Sequence, residues 1–105
     1  MPKRPRSASF RVPPLRAFGE RIRRLRTAWG WTQNQLGVRA QRHWTFISQT
    51  ERGERNVTHL SLLSLAAALE VDPGVLVTRD VKQVEAAVST IERQPKRKRP
   101  RGGRR

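Results

Sequence analysis

The stretch RHWTFISQTERGERN, residues 42–56, gathers the side chains best suited to act on a partner. Around its single isoleucine, Ile47, stand Trp44, Thr45, Ser48 and Gln49. The Gln49 amide both donates and accepts, the hydroxyls of Thr45 and Ser48 do the same, and Trp44 adds an apolar plate with one N–H. If the segment is a helix with Ile47 toward a core, steps of about 100° per residue turn Trp44, Thr45, Ser48 and Gln49 to the other side. Such a face has the vocabulary that reads base edges. Gln pairs bidentately with adenine, worth about 1–3 kcal/mol of discrimination, and Thr or Trp packs on a thymine methyl.

Catalysis is poorly supplied. The 105 residues include two histidines, eight acidic residues and no cysteine. No nucleophile stands beside a base, and no acidic cluster could hold the metals of a nuclease. Glu51 and Glu54 lie three apart, but the interval crosses Gly53, where a helix is expected to end. The expectation is a non-enzyme with no metal and no cofactor. His43 reads as a helix cap or phosphate donor. Without cysteine, disulfide frameworks and thiolate metal sites are excluded.

Charge points to the class of partner. Lys and Arg number 23 against 8 Asp and Glu, a formal +15 with a pI near 12.0. That balance suits a polyanion, nucleic acid foremost. Residues 1–16 hold five basic residues and residues 96–105 hold seven, with no acid in either, whereas residues 17–95 hold eleven basic and eight acidic. Residues 1–14 and 95–105 therefore read as disordered basic arms that contact phosphate, or that serve only as solubilising tails or an import address. No apolar run approaches a membrane span, and the start lacks a secretory signal. A soluble intracellular protein without membrane or small-molecule partners is expected.

The reading residues need elements to hold them, and the apolar spacing is helical throughout. Leu15, Phe18, Ile22, Leu25 and Trp29 recur at helical intervals and predict a helix of about 15 residues, with Pro14 in its first turn and Gly30 as its stop. TQNQ fits a capping box, Thr32 with Gln35, that opens a second helix bearing Leu36 inward. A third runs from about Trp44 to Arg52, capped by His43 or a neighbour, and stops on Gly53. Thr58 caps a fourth helix with Leu62, Leu65, Ala66 and Leu69 on its buried stripe. Asp72 and Pro73 open a short fifth. The fold class is thus all-α: a compact domain of five helices over residues 15–78, with Leu25, Leu36, Ile47, Leu62, Leu65 and Leu69 in its core. Val81, Val84, Val88 and Ile91 mark a sixth helix within residues 79–94, either a dimerising seam or a strip packed on the domain's own first helix.

The run TQNQLGVRAQRHWTFISQTERG resembles the helix-turn-helix of lambda-repressor-like regulators of the XRE class. Thr32, Gln33, Leu36, Ile47, Ser48, Glu51 and Gly53 match its pattern with no insertion. FGERIRRLR is similar to the family's first helix and LLSLAAALEVDPGVL to its fourth and fifth, so the resemblance spans about residues 18–77. It implies a sequence-specific binder of double-stranded DNA that regulates transcription, in a bacterial cytoplasm at the nucleoid; a homodimer is the expected state. It also implies base contacts from Trp44, Thr45 and Gln49 with Ser48 beside them, phosphate contacts from Gln33 and Asn56, and an ion pair between Arg26 and Glu51. Arg55, beside Asn56, is a further candidate for the DNA backbone, with a solvated loop as the plain alternative. The same fold also suits an antitoxin or partner-binding adaptor, and a sequence-tolerant binder led by its arms is the other alternative.

Four departures from the family pattern bear on the turn. Gln41 replaces the usual glycine, at a cost of about 1–2 kcal/mol if it is left-handed. Arg42 and Thr50 occupy places that are normally apolar. Gly37 replaces an alanine, weakening the second helix by about 1 kcal/mol. Together they predict a shifted or loosened turn.

Overall fold

The computed structural model describes residues 15–95, so both arms except Pro95 lie outside the described residues. Six helices follow one another: α1 Leu15–Trp29, α2 Gln33–Ala40, α3 Trp44–Glu51, α4 His59–Leu69, α5 Pro73–Val77 and α6 Val81–Glu92. Among the described residues there is no strand, and no helix is long and apolar enough to cross a membrane.

Side-chain caps explain where the helices begin. Thr32 Oγ1 accepts from the Gln35 N–H at 3.0 Å while Gln35 Oε1 accepts from the Thr32 N–H at 2.8 Å, completing the capping box of α2. Thr58 caps α4 through the Ser61 N–H, and Asp72 caps α5 with Pro73 in its first turn. His43 caps α3, its Nδ1 accepting from the Thr45 N–H at 3.2 Å.

The core joins Ile22 and Leu25 of α1 to Leu36, Ile47, Leu65, Leu69 and Leu76, all fully buried. Leu62, expected among them, lies only at the edge of this core, and Ser61 and Ala68 are buried instead. The reason is that α4 reads HLSLLSLAAAL, apolar nearly all round, so spacing alone does not single out its inner face. A stack closes the junction of α1, α2 and α4. Trp29 donates its indole N–H to the Leu69 carbonyl at 2.9 Å and stacks on Trp31 at 4.9 Å, and the Arg39 guanidinium covers Trp31 at 4.3 Å.

The valine series of α6 belongs to the domain itself. Val84, Val88 and Ile91 are buried and α6 packs along α1, with only Val81 left exposed. Of the two readings of this strip, the structure has the second: three of its four side chains pack within the protomer, along the domain's own first helix. Arg24 on α1 holds Glu85 on α6 by two bonds of 2.6 and 3.0 Å. That pair is solvent-facing and orients more than it stabilises. The Arg24 hydrogen bond also holds the Glu85 carboxyl below its ordinary range. Arg21 closes the end of α5, donating to the carbonyls of Val75, Leu76 and Thr78 at 3.2, 3.3 and 2.7 Å.

The turn between α2 and α3 is not loosened. Gln41 itself takes the left-handed conformation, φ 59° and ψ 45°, and its N–H returns to α2. Gly37 has a positive role. A Cβ there would stand 2.6 Å from the Arg42 carbonyl oxygen, so an alanine would push the turn away from α2. Arg42, in its normally apolar place, reaches Ser61 Oγ on α4 at 3.1 Å.

Thr50 has no such compensation. Its hydroxyl is buried at 1% residue exposure and has no hydrogen-bond partner. Thr50→Val keeps the shape and removes the stranded group, so urea denaturation is expected to show a gain of about 1–3 kcal/mol. An unchanged or lowered stability would contradict this assignment.

Candidate nucleic-acid interface

Helix α3 is gripped from two sides, by α1 and by α2. Its buried residues are Ile47, Ser48, Thr50 and Glu51. What remains open is a strip made of Trp44, 47% exposed, Thr45, Arg52 and the half-buried Gln49. Thr45, Gln49 and Arg52 are four and three residues apart and therefore line one flank of the rod.

Ser48 departs from expectation. It is 7% exposed, and its hydroxyl accepts from Arg52 Nη1 at 2.6 Å. The expectation that all four polar neighbours of Ile47 face outward is corrected at this position. A single neighbour would cover one face of α3, but two neighbours cover the adjoining 100° step as well. Arg52, which reading by pattern passed over, takes the surface position beside Gln49 instead.

At the start of α3, Thr45 Oγ1 lies 2.8 Å from His43 Nδ1. In the tautomer with its hydrogen on Nε2, that nitrogen accepts from the Thr45 backbone and the Thr45 hydroxyl points at the same lone pair. Thr45 therefore presents its methyl and its oxygen lone pairs. Trp44 stands beside the His43 ring at 5.8 Å.

The base of the face is fixed by an ion pair. Arg26 Nε and Nη2 meet Glu51 Oε2 and Oε1 at 2.6 and 3.0 Å, with side-chain exposures of 12% and 4%. This is the pair expected between α1 and α3. Arg26 Nη1 also donates to the Trp31 carbonyl at 2.7 Å, tying in the loop before α2. Gln33 spends its side-chain N–H on Glu51 Oε1 at 3.0 Å. What Gln33 leaves open is its backbone N–H at the start of α2, a helix end whose first N–H groups have no partner within the helix. A cleft of about 740 Å³ opens there, lined by Arg26, Thr32, Gln33, Asn34 and Trp44.

The loop after α3 also folds back onto this face. The Glu54 N–H donates to the Gln49 carbonyl at 2.9 Å. Arg55 then donates from Nε and Nη2 to Gln49 Oε1 at 3.1 and 3.0 Å, its guanidinium 4.8 Å from the centre of the Phe46 ring. Arg55 is exposed in its loop, and its guanidinium is engaged by Gln49 on the open strip of α3. Asn56 is exposed in the same loop. Among the described residues no group of three or more His, Asp or Glu could hold a metal ion.

A family model described as a helix-turn-helix domain matches residues 17–79, the span that builds this arrangement. The chain belongs to that family. Its helix-turn-helix is 40% identical over 62 residues to the control protein C.SmaI of Serratia marcescens, covering 59% of this chain and 74% of the relative. It is also 40% identical over 60 residues to an uncharacterized HTH-type transcriptional regulator of Sinorhizobium fredii, covering 57% and 78%. Among solved structures, the restriction-modification controller protein C.AhdI from Aeromonas hydrophila superposes with a TM-score of 0.58 at 40% identity, over 59% of this chain and 94% of that one. A variant of the restriction-modification controller protein C.Esp1396I gives a TM-score of 0.55 at 31% identity, over 77% and 94%.

Proposed function

We propose that this chain is a sequence-specific regulator of transcription that binds double-stranded DNA through α3. The observation that carries the reading is the position of α3: Ile47 anchors it, the Arg26–Glu51 pair fixes its end, and Trp44, Thr45 and Gln49 are left on its open flank. A rod so held fits the major groove with its N-terminal residues at the base edges. Phosphates on either side meet the N-terminal N–H groups of α2, His43 and the loop of Arg55 and Asn56. The two controller proteins among the structural relatives direct the search toward promoters of restriction and modification genes. The place of action is the bacterial cytoplasm.

A homodimer completes this reading. With the α6 valines used internally, Leu60 and Leu63 of α4, 72% and 38% exposed, form the apolar surface that supports pairing of two copies. Two copies read half-sites about 34–36 Å apart, one helical turn.

Selection of bound sites from a random duplex pool tests both points. A two-fold motif is expected, and Thr45→Ala with Gln49→Ala should lose preference for the selected site more than binding to random duplex. Equal losses would favour a sequence-tolerant binder led by the arms, the reading that the concentration of charge at the chain ends supports.

The arms act through the DNA backbone alone. Deleting residues 95–105 is expected to weaken binding to all sequences and to flatten the salt dependence by about 0.9 in log–log slope for each phosphate that is no longer neutralised. An unchanged slope in titrations at several salt concentrations would make that arm a spectator.

A further inference from the structure

Gln49 would ordinarily be assigned to adenine, because its amide can accept from the adenine amino group and donate to N7 at once. The arrangement around it removes half of that pair. Gln49 Oε1 has two lone pairs, and Arg55 directs Nε–H and an Nη2–H at that one oxygen, at 3.1 and 3.0 Å. The orientation of the amide is forced, since arginine has only donors and the atom turned toward it must be the oxygen. What Gln49 turns away from Arg55 is its NH2 group, with two donors.

Arg55 is not a wandering surface side chain. Its guanidinium lies over the Phe46 ring of α3 at 4.8 Å, and the backbone bond from Glu54 to Gln49 draws the loop back one residue before it. Stacking and a forked hydrogen bond together hold a planar group in one attitude, which a lysine ammonium would not reproduce.

We propose that Arg55 is a specificity-determining positioning residue: by engaging Gln49 Oε1 with two donors and turning it away from the groove, it makes the Gln49–Arg55 pair a donor-presenting unit that selects guanine in place of adenine. Guanine offers two acceptors, O6 and N7, in the major groove, whereas adenine would set its amino group against the donors of the unit. The inference rests on the reading of α3 as the DNA-contacting helix.

The test is selection from a random duplex pool with the full chain and its Gln49→Ala, Arg55→Met and Arg55→Lys variants, each checked for intact thermal unfolding. Gln49→Ala identifies the dependent base pair as the one at which preference disappears. The full chain should favour guanine there. In both Arg55 variants, the ratio of adenine to guanine at that pair alone should rise by roughly 5- to 150-fold, the range that one bidentate pair commands. Adenine at that pair in the full chain would overturn the proposal. So would guanine retained by Arg55→Lys, which would reduce Arg55 to a backbone cation. If the full chain enriched no motif at all, the reading of α3 itself would fall; an enriched motif with unchanged preference in the Arg55 variants would sink only the role given to Arg55.

Discussion

Glu51→Ala is expected to lower the unfolding free energy by about 3–5 kcal/mol, the usual consequence of leaving one member of a buried pair without its counter-charge. Glu51 accepts from Arg26 twice and from Gln33 once, so its removal strands the guanidinium at the crossing of α1 and α3 with only the Trp31 carbonyl. For a small domain whose total stability is about 5–15 kcal/mol, a loss of that size depletes the folded population at ordinary temperatures. The effect belongs to the pair. The double change Arg26→Met with Glu51→Leu should cost less than either removal alone, because no charge is then stranded. Urea denaturation of the single and double variants checks this. Additive losses would contradict it.

Gly19→Ala is the second large effect. In an isolated helix the substitution would help by about 1 kcal/mol. Here the added Cβ would stand 2.3 Å from the Thr50 carbonyl oxygen and 2.6 Å from that of Glu51. Both are backbone atoms, so no rotamer change relieves the clash and α1 must move away from the end of α3. Overpacking of this kind costs about 1–3 kcal/mol and occasionally more, and this site belongs at the upper end because the neighbours are rigid. A net loss of roughly 2 kcal/mol is therefore expected after the gain in helix propensity. The same displacement tilts the reading strip, so DNA affinity should fall beyond what unfolding explains. Thermal melts and binding titrations on the folded fraction measure the two parts. A variant as stable as the parent would show that α1 and α3 do not approach this closely.

The elements are legible in the sequence where a local rule decides them. The capping box of Thr32 and Gln35, the three- and four-residue spacings that run from Leu15 to Trp29, and the Asp72–Pro73 start of α5 each rest on steps of a few residues, and the structure has all three helices. The Arg26–Glu51 pair spans 25 residues, and only the family resemblance points to it. Legibility fails where the outcome depends on how many neighbours a helix has. Ser48 is covered because α1 and α2 together enclose more of α3 than one core face, and Leu62 loses its place because α4 is apolar on nearly every side. Contacts across loops have no period to betray them. Trp31 with Arg39, and Gln49 with Arg55, meet only after the chain has turned.

The departures at the turn show a similar lesson. Gln41 and Gly37 look like two weaknesses when taken one at a time. In place, one supplies the left-handed exit and the other admits the Arg42 carbonyl that this exit brings close. Local penalties from propensity are then offset by the fit of the turn between α2 and α3.

Contact between α3 and base edges underlies the whole functional reading, and amide chemical-shift mapping probes it without an intermediary. The full, uniformly labelled chain is titrated at near-physiological salt with a duplex carrying its selected site. Large, saturable shifts are expected at Trp44, Thr45 and Gln49 and at the first residues of α2. Those at α3 should vanish with a scrambled duplex of equal length, while responses from the basic ends persist with both. Shifts confined to the chain ends, the same for both duplexes and with α3 undisturbed, would contradict the assignment of α3 as the reading helix.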